Sequence, residues 1–217
     1  WHDYEYRFKK KNPIDSRIFN KPLWDGTSFK GKKLFVAVEQ GFGDNIQFVR
    51  YLPLVKQRGG EIILECKKEL LRLFENFSGV DMVMEAKNNV VPNVDFDFYI
   101  HLMSLPKIFN TNITAIPNKI PYLKAKQVLS ESIKSKFSTD NFKVGIVWSG
   151  NPLQDNDKKR STSFEKFKIF KKIPGIDLFS LQKGKASQQL DDPEIIDLSS
   201  NINDFADTAA IIENLDL

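Results

Sequence analysis

The fold class is indicated by the segment Leu34-Phe35-Val36-Ala37-Val38-Glu39-Gln40-Gly41-Phe42-Gly43-Asp44-Asn45-Ile46. Its first five residues form a short continuous apolar run, which is typical of a parallel strand buried on both faces. The two glycines allow a sharp turn, and Ile46, Val49, Leu52 and Val55 then recur at helical spacing. A strand, a glycine-containing turn and a helix in this order predict an α/β protein.

The same alternation continues along the chain. Further strand candidates, each a short run rich in apolar residues, lie at 61–65, 81–85, 96–100, 143–148, 177–181 and 194–198. Amphipathic or polar segments separate most of these runs, and this alternation predicts doubly wound parallel sheets. A proline-containing loop over 110–124, followed by a polar helical segment over 126–140, indicates a domain boundary.

Four regions follow from this pattern. We expect a helix end and an extended connector over 1–28, an N-terminal Rossmann-like domain over 29–125, a linker helix over 126–141 and a partial C-terminal Rossmann-like domain over 142–217. The last region has about three strands, whereas a complete Rossmann-like unit has about five or six. Leu215-Asp216-Leu217 looks like the start of a further strand. We therefore expect the second domain to be truncated.

Composition excludes several classes of protein. Of the 217 residues, 41% are hydrophobic, which is enough for a sizeable core. The net charge of +4 is too small for a dedicated nucleic-acid coat. With one cysteine, Cys66, and two histidines, the chain offers no disulfide framework and few metal ligands. We expect no metal site, Cys66 packed as a small core residue, no nucleic-acid partner and no membrane span, in a soluble cytoplasmic protein.

The turn after the first strand carries the most informative chemistry. Gly41-x-Gly43 resembles the start of the dinucleotide-binding motif, and Glu65 lies about 20 residues further on, where that motif has an acidic residue. Ile46 replaces the third glycine, and Asp44 places a carboxylate where a pyrophosphate would bind. Alternatively, Asp44 acts as a general base toward a hydroxyl group, or it only caps the following helix.

Polar residues also follow other predicted strands. His101 follows a strand at the same edge of the first sheet, where it hydrogen-bonds a substrate or has a structural role. In the second domain, backbone amides and cations that suit a diphosphate come from three segments, Ser149-Gly150-Asn151, Lys159-Arg160 and Gln182-Lys183. The alternative for the lysine-rich segment is an ordinary solvated loop.

Several segments, in order, carry a resemblance to a known family. They are 39–53 (Glu-Gln-Gly-Phe-Gly-Asp-x-Ile-Gln-Phe-x-Arg-Tyr-Leu-Pro), 102–106, 121–123, 144–152 (Val-Gly-Ile-Val-Trp-Ser-Gly-Asn-Pro), 180–184 and 204–210. Together they resemble the glycosyltransferase-like region of bacterial TPR-repeat proteins. That region is similar to the ADP-heptose:lipopolysaccharide heptosyltransferases and, more distantly, to O-GlcNAc transferases. The resemblance covers roughly residues 20 to 217, and the aromatic start resembles the tail of a TPR region.

The resemblance implies a GT-B fold, with two Rossmann-like domains and a metal-independent, inverting sugar transfer. Asp44 matches the aspartate that is the proposed catalytic base of the family. Gly41, Gly43, Gln47, His101 and Ser104 become the predicted substrate-binding residues. The predicted donor-phosphate-binding residues are Ser149, Gly150, Asn151, Lys159, Arg160, Gln182 and Lys183. A nucleotide-sugar is the implied co-substrate, without any other cofactor.

The implied partners are the donor, a glycan, lipid-linked or protein acceptor, and proteins that bind upstream TPR repeats.

In the family, the strand that begins at Leu215 continues into an Asp-Thr and His-Leu-Ala-Gly segment that closes on the donor phosphates, and this sequence ends before it. We therefore keep three hypotheses. The first is a glycosyltransferase, the second a non-catalytic TPR-linked interaction module with a degenerate transferase fold, and the third a dinucleotide-binding Rossmann protein.

Overall fold

A computed structural model describes residues 1–11, 13, 15–87 and 90–217. The chain divides into two compact units, Trp1–Leu123 and Lys124–Leu217. Each unit contains one parallel β-sheet with helical segments, so the protein is α/β with sheets of the kind found in Rossmann-like domains. Asn12 and Ile14, which belong to the predicted connector, lie outside the described residues.

Unit 1 contains a four-stranded sheet in the order β3-β2-β1-β4, with every pair parallel. Its strands are β1 (Lys33–Ala37), β2 (Glu61–Cys66), β3 (Met82–Glu85) and β4 (Phe98–His101). Its α-helices are α1 (Phe42–Phe48), α2 (Leu52–Lys56), α3 (Leu71–Phe74) and α4 (Leu105–Ile108). Short 3₁₀ segments lie at Asp3–Phe8, Val49–Tyr51, Lys68–Leu70, Leu102–Ser104 and Ile113–Ala115.

The central strand β1 is buried on both faces, as its continuous apolar sequence predicts. Phe35 and Ala37 pack with Phe19, Ile63 and Phe96 in one hydrophobic cluster. Leu34 and Val36, which alternate with them along the strand, are also fully buried. Both faces are therefore covered, and the carboxyl ends of the strands meet at one edge of the sheet, which we call the carboxyl edge.

The segment before β1 is part of unit 1. Leu23 forms an isolated parallel bridge with Tyr99 of β4, and the backbone N–H of Trp24 donates to the Tyr99 carbonyl at 2.8 Å. The Trp24 indole is buried, and its N–H donates to the carbonyl of Thr27. The predicted extended connector thus covers the outer edge of the sheet and supplies core side chains.

Unit 2 contains a three-stranded parallel sheet in the order β5-β6-β7. The strands are β5 (Phe142–Ile146), β6 (Ile176–Ser180) and β7 (Ile196–Asp197), and the α-helices are α5 (Gln127–Ile133), α6 (Asp157–Arg160) and α7 (Phe205–Glu213). Its 3₁₀ segments are Lys134–Phe137, Phe164–Lys172, Lys185–Gln189 and Ser199–Asn201. Leu217 and Asp216 make backbone hydrogen bonds to β5, as expected for the start of a strand beside it.

Neighbouring residues of β6 pack in different clusters of unit 2. Phe179 belongs to a cluster with Phe137 and Ile211, whereas Leu178 belongs to a cluster with Trp148 and Phe164. Because successive strand residues point to opposite faces, the sheet has a hydrophobic layer on each side.

One predicted helix differs from the observed one. The helix expected over 46–55 is interrupted by the 3₁₀ segment Val49–Tyr51, because Pro53 has no N–H and its ring clashes with a preceding carbonyl of a continuous helix. The lysine-rich segment, for which a solvated loop was the alternative, contains the single turn of α6. The segment Phe164–Lys172 that follows it is 3₁₀ rather than α.

Across the described residues, none of the helices is long and apolar enough to cross a membrane.

Candidate functional site

The turn between β1 and α1 has an unusual backbone at Gln40. This residue has φ of 68°, in the left-handed region that a non-glycine residue adopts at a cost of about 1 kcal/mol or more. Gly41 then returns to extended backbone and is the N-cap of α1. The side-chain amide of Asn45 fixes the turn by donating to the Gly41 carbonyl at 2.8 Å.

Asp44 is the third residue of α1 rather than its N-cap. One carboxylate oxygen, Oδ2, accepts a hydrogen bond from the Gly41 backbone N–H at 3.0 Å. Asp44 therefore caps the helix from the third helical position. Its other oxygen, Oδ1, has no hydrogen-bond partner among the residues that the structure describes. The capping role and a role as base are compatible because they use different oxygens.

Gly43 adjoins Asp44 and is distinctive among the eleven glycines of the chain. Its φ is not in the left-handed region, and a Cβ atom built on it would meet no atom within 4 Å. No other glycine combines these two properties. Neither the backbone nor the packing of this fold therefore requires glycine at this position. Gly43 and Gln47 lie four residues apart on the same face of α1, next to Asp44.

A network of buried charges lies along the carboxyl edge of unit 1. Arg7 makes a bidentate ion pair with Glu39, at 2.6 and 2.9 Å, and its guanidinium also donates to Ser104 Oγ at 2.8 Å. Ser104 in turn donates to Glu5. The side chain of Glu39 is fully buried and that of Arg7 is 6% exposed. A bidentate pair of this geometry fixes both side chains.

Arg17 forms a second bidentate pair, with Glu65 at the end of β2, at 2.6 and 2.9 Å. It also contacts Asp15 at 2.7 Å, and Asp15 lies 3.1 Å from Nε2 of His101. Burial by itself raises the pKa of the Asp15 carboxyl, but the hydrogen bonds from His101 and Arg17 outweigh it and hold that pKa below its ordinary value. Asp15 is therefore ionised at neutral pH.

We call these side chains the edge network: Arg7, Arg17, Asp15, Glu39, Glu65, His101 and Ser104. Two of its members, His101 and Ser104, are predicted substrate-binding residues, and the structure gives both of them partners from the N-terminal segment. The pairing of the two arginines with Glu39 and Glu65 was not among the predictions from the sequence. The available signal was an acidic residue at the end of each of two buried strands, but nothing in the sequence pointed to Arg7 or Arg17 as partners.

In unit 2, the turn after β5 is held by the buried side chain of Gln182. Its Oε1 accepts from the backbone N–H groups of Trp148 and Ser149, both at 2.9 Å. Its Nε2 donates to the carbonyls of Ser149 and Lys183. A single carboxamide thus satisfies four backbone groups, and one amide that we expected to bind phosphate, that of Ser149, is already bonded.

The next amide of this turn is also bonded within the chain. The Gly150 N–H donates to Ser161 Oγ at 2.9 Å, and Ser161 donates to Asp157 at 2.7 Å. A Cβ atom at Gly150 would lie 2.8 Å from the Arg160 guanidinium, so α6 packs closely on the turn. Asn151 accepts from the Leu153 N–H and closes the turn on itself.

The predicted phosphate-binding cations differ in their surroundings. Lys183 donates to the carbonyls of Ser199 and Ile202 at 2.8 Å. Arg160 lies 3.5 Å from Asp157, with its side chain 54% exposed. Lys159 is exposed and has no ion-pair partner among the described residues. The structure therefore places these residues near one turn but leaves few of their donors free.

Within residues 1–11, 13, 15–87 and 90–217, no group of three or more His, Cys, Asp or Glu side chains is arranged to hold a metal ion. Cys66 is buried and unpaired, and burial raises the pKa of its thiol to about 12. The prediction that Cys66 packs as a small core residue is confirmed.

The chain is similar to protein FlbA of Caulobacter vibrioides, with 24% identical residues in an alignment that covers 98% of the chain. The chain spans 41% of the length of FlbA. No family model matches the chain, and no solved structure matches it.

We predict that Arg17→Met lowers the free energy of unfolding of unit 1 by about 3–5 kcal/mol, because it leaves the buried Glu65 carboxylate without its cation. Urea denaturation followed by circular dichroism measures the loss. Lys33→Met is the matched control: Lys33 lies 4.0 Å from Glu61 and both side chains are exposed, so its loss is under about 1 kcal/mol. Equal, small losses for both variants would contradict a dependence of Glu65 on Arg17.

We also predict that this chain binds nucleoside diphosphates weakly or not at all, because the amides of Trp148, Ser149 and Gly150 are bonded internally. Calorimetry with UDP, ADP and GDP is the test. Micromolar binding that disappears in the double variant Lys159→Ala, Arg160→Ala would show that the donor site is already complete. That result would contradict our interpretation of the turn.

Proposed function

We propose that the chain is a glycosyltransferase-like region of GT-B type, which transfers a sugar from a nucleotide-sugar to an acceptor hydroxyl. The six ordered motifs that resemble bacterial TPR-linked transferases support this proposal. The observation that carries it is the open face of α1, where the free oxygen of Asp44 adjoins a glycine that the fold itself does not require. A cytoplasmic location, with access to nucleotide-sugars, is part of the same proposal.

The proposed reaction assigns a role to side chains of each unit. Asp44 would accept the proton of the acceptor hydroxyl as that oxygen forms its bond to the anomeric carbon of the donor sugar. The bond from that carbon to the diphosphate breaks at the same time, with inversion. Lys159 and Arg160 would balance the negative charge that develops on the departing nucleoside diphosphate.

Gly43 has a physical role in this proposal. Glycine in a helix is less stable than alanine by up to about 1 kcal/mol, so an unneeded glycine requires an explanation outside the fold. Contact with a ligand supplies one, because the missing side chain lets the acceptor approach the α1 backbone beside Asp44. Gln47, one turn further on, is exposed and lies in reach of the same ligand.

Of the two other hypotheses, dinucleotide binding receives less support and the interaction module is open to a direct test. In the dinucleotide-binding hypothesis, Glu65 would accept hydrogen bonds from ribose, but Arg17 already engages both of its oxygens. In the hypothesis of a non-catalytic interaction module, Asp44 would be only a helix cap. The amides bonded internally in unit 2 favour that module over an enzyme, so a direct test of Asp44 decides between them.

We predict that Asp44→Asn in the full-length protein lowers transfer by about 10²–10⁴-fold. The amide oxygen of Asn can still accept from the Gly41 N–H but cannot take a proton, so the free energy of unfolding changes by less than about 1 kcal/mol. Release of nucleoside diphosphate from UDP-, ADP- and GDP-sugars measures the activity.

Asp204→Asn is the matched control for Asp44→Asn, because Asp204 caps α7 by accepting from the N–H groups of Ala206 and Asp207. We expect this control to retain full activity. If the Asp44 variant keeps its activity within a few-fold, the carboxylate is a cap alone and the interaction module is the better hypothesis.

We further predict that Gly43→Ala raises the free energy of unfolding by about 0.5–1 kcal/mol and lowers transfer at least tenfold. The added methyl group has space within the fold but occupies the surface that the acceptor needs. Gly31→Ala is the comparison: its Cβ would also meet open space, but φ of 74° makes alanine destabilising there. Unchanged transfer in Gly43→Ala would exclude a close approach of the acceptor at this residue.

A further inference from the structure

A cavity of about 400 Å³ opens in unit 1 at the carboxyl ends of β1, β2 and β3. Its lining includes Gln40, Arg17, Glu65, Lys67, Glu85 and Lys87. In open parallel sheets, ligands bind in the crevice outside the carboxyl ends of the strands. The cavity therefore lies where a ligand is expected from topology, and neither Asp44 nor the donor turn of unit 2 contributes to its lining.

The walls of the cavity carry charges that are already compensated within the chain. Arg17 pairs with Glu65 and Asp15, and Glu39 pairs with Arg7. An ionic ligand would therefore find no buried unpaired charge to neutralise. The carboxylates that remain accessible in the lining are those of Glu69 and Glu85, which are exposed and accept hydrogen bonds from hydroxyl groups.

The mouth of the cavity is also mixed in charge. Lys68 and Lys87 are exposed there, but Glu69 and Glu85 lie beside them in the same lining. The ammonium group of Lys67 lies 5.1 Å from the ring centroid of Phe42, which holds it as a cation–π pair. Charge of both signs at the mouth favours an uncharged, polar ligand over a phosphate.

Gln40 is the lining residue whose backbone conformation and side-chain contacts are least explained by the fold. It holds a left-handed backbone that glycine would adopt without strain. Its carboxamide is exposed, and its Nε2 donates to the Tyr4 hydroxyl over a long distance of 3.3 Å. A carboxamide both donates and accepts, which suits an alcohol group.

We propose that this cavity binds an uncharged, hydroxyl-rich ligand and that Gln40 is its specificity-determining residue. The carboxamide of Gln40 bonds a ligand hydroxyl at the rim, and the exposed carboxylates of Glu69 and Glu85 accept from other hydroxyls. This inference concerns binding alone. It does not depend on Asp44 acting as a base, so its failure and the failure of the proposed transfer reaction are distinguishable.

Saturation-transfer NMR on the intact chain tests the proposal with two sets of probes. Glucose, N-acetylglucosamine and myo-inositol are the uncharged set, and glucose 6-phosphate and inorganic phosphate are the anionic set. We expect millimolar binding of at least one uncharged probe. Gln40→Gly should weaken this binding about tenfold, the loss expected for one hydrogen bond to the ligand.

The unfolding midpoint of Gln40→Gly separates a ligand contact from a structural role. Glycine relieves the left-handed strain, so the midpoint stays the same or rises while binding falls. Gln154→Ala, which removes an exposed carboxamide in unit 2, is the matched control and should leave binding unchanged.

Three results would overturn the proposal. The first is binding of the anionic probes alone, lost in the double variant Lys67→Ala, Lys87→Ala. The second is no binding of any uncharged probe at millimolar concentration. The third is a Gln40→Gly variant that binds like the unchanged protein, or one whose unfolding midpoint falls, since the carboxamide would then serve the fold.

Discussion

Two buried arginine–glutamate pairs, Arg7–Glu39 and Arg17–Glu65, determine how the carboxyl edge of unit 1 is organised. Glu39 and Glu65 lie where two buried strands end, in surroundings that would strongly disfavour an unpaired carboxylate. Their partners come from the segment before the first strand. That segment is consequently tied to the sheet by charge as well as by the packing of Phe19 and Trp24.

The same pairs shape the candidate site. They engage Ser104 directly and His101 through Asp15, so these two side chains position the N-terminal segment. What remains open along this edge is the face of α1 beside Asp44 and the cavity that Gln40 adjoins. Gln40 and Gly43 each lower the stability of the fold, because one is strained and the other is a glycine within a helix. Both residues lie next to space that a ligand can fill. Functional sites are where proteins usually tolerate such losses of folding stability.

In unit 2, most of the polar backbone groups of the turn after β5 are hydrogen-bonded within the chain. The Gln182 carboxamide satisfies four backbone groups of the turn, and Ser161 satisfies Gly150. A turn that is closed in this way is rigid, but it has few donors left for a diphosphate. The proposed donor-binding role of unit 2 therefore depends mainly on Lys159 and Arg160, whose exposed charges are screened by salt.

The α/β class and most of the strands could be predicted from the amino-acid sequence, because a parallel strand buried on both faces is a continuous apolar run, as residues 34–38 are. The sequence also located the β1–α1 turn, since only a few residue types permit such a turn, and it placed Asp44 and His101 at one edge. The sequence could not distinguish a helix-capping role of Asp44 from a role as general base, because both roles need the same carboxylate. Only the tertiary structure shows that Arg7 and Arg17 pair with Glu39 and Glu65. It likewise shows that Gln182 closes the turn of unit 2 and that Gln40 borders a cavity. These contacts join residues 32 to 48 positions apart, and no local propensity or periodicity encodes which distant charge or carboxamide fills a given gap.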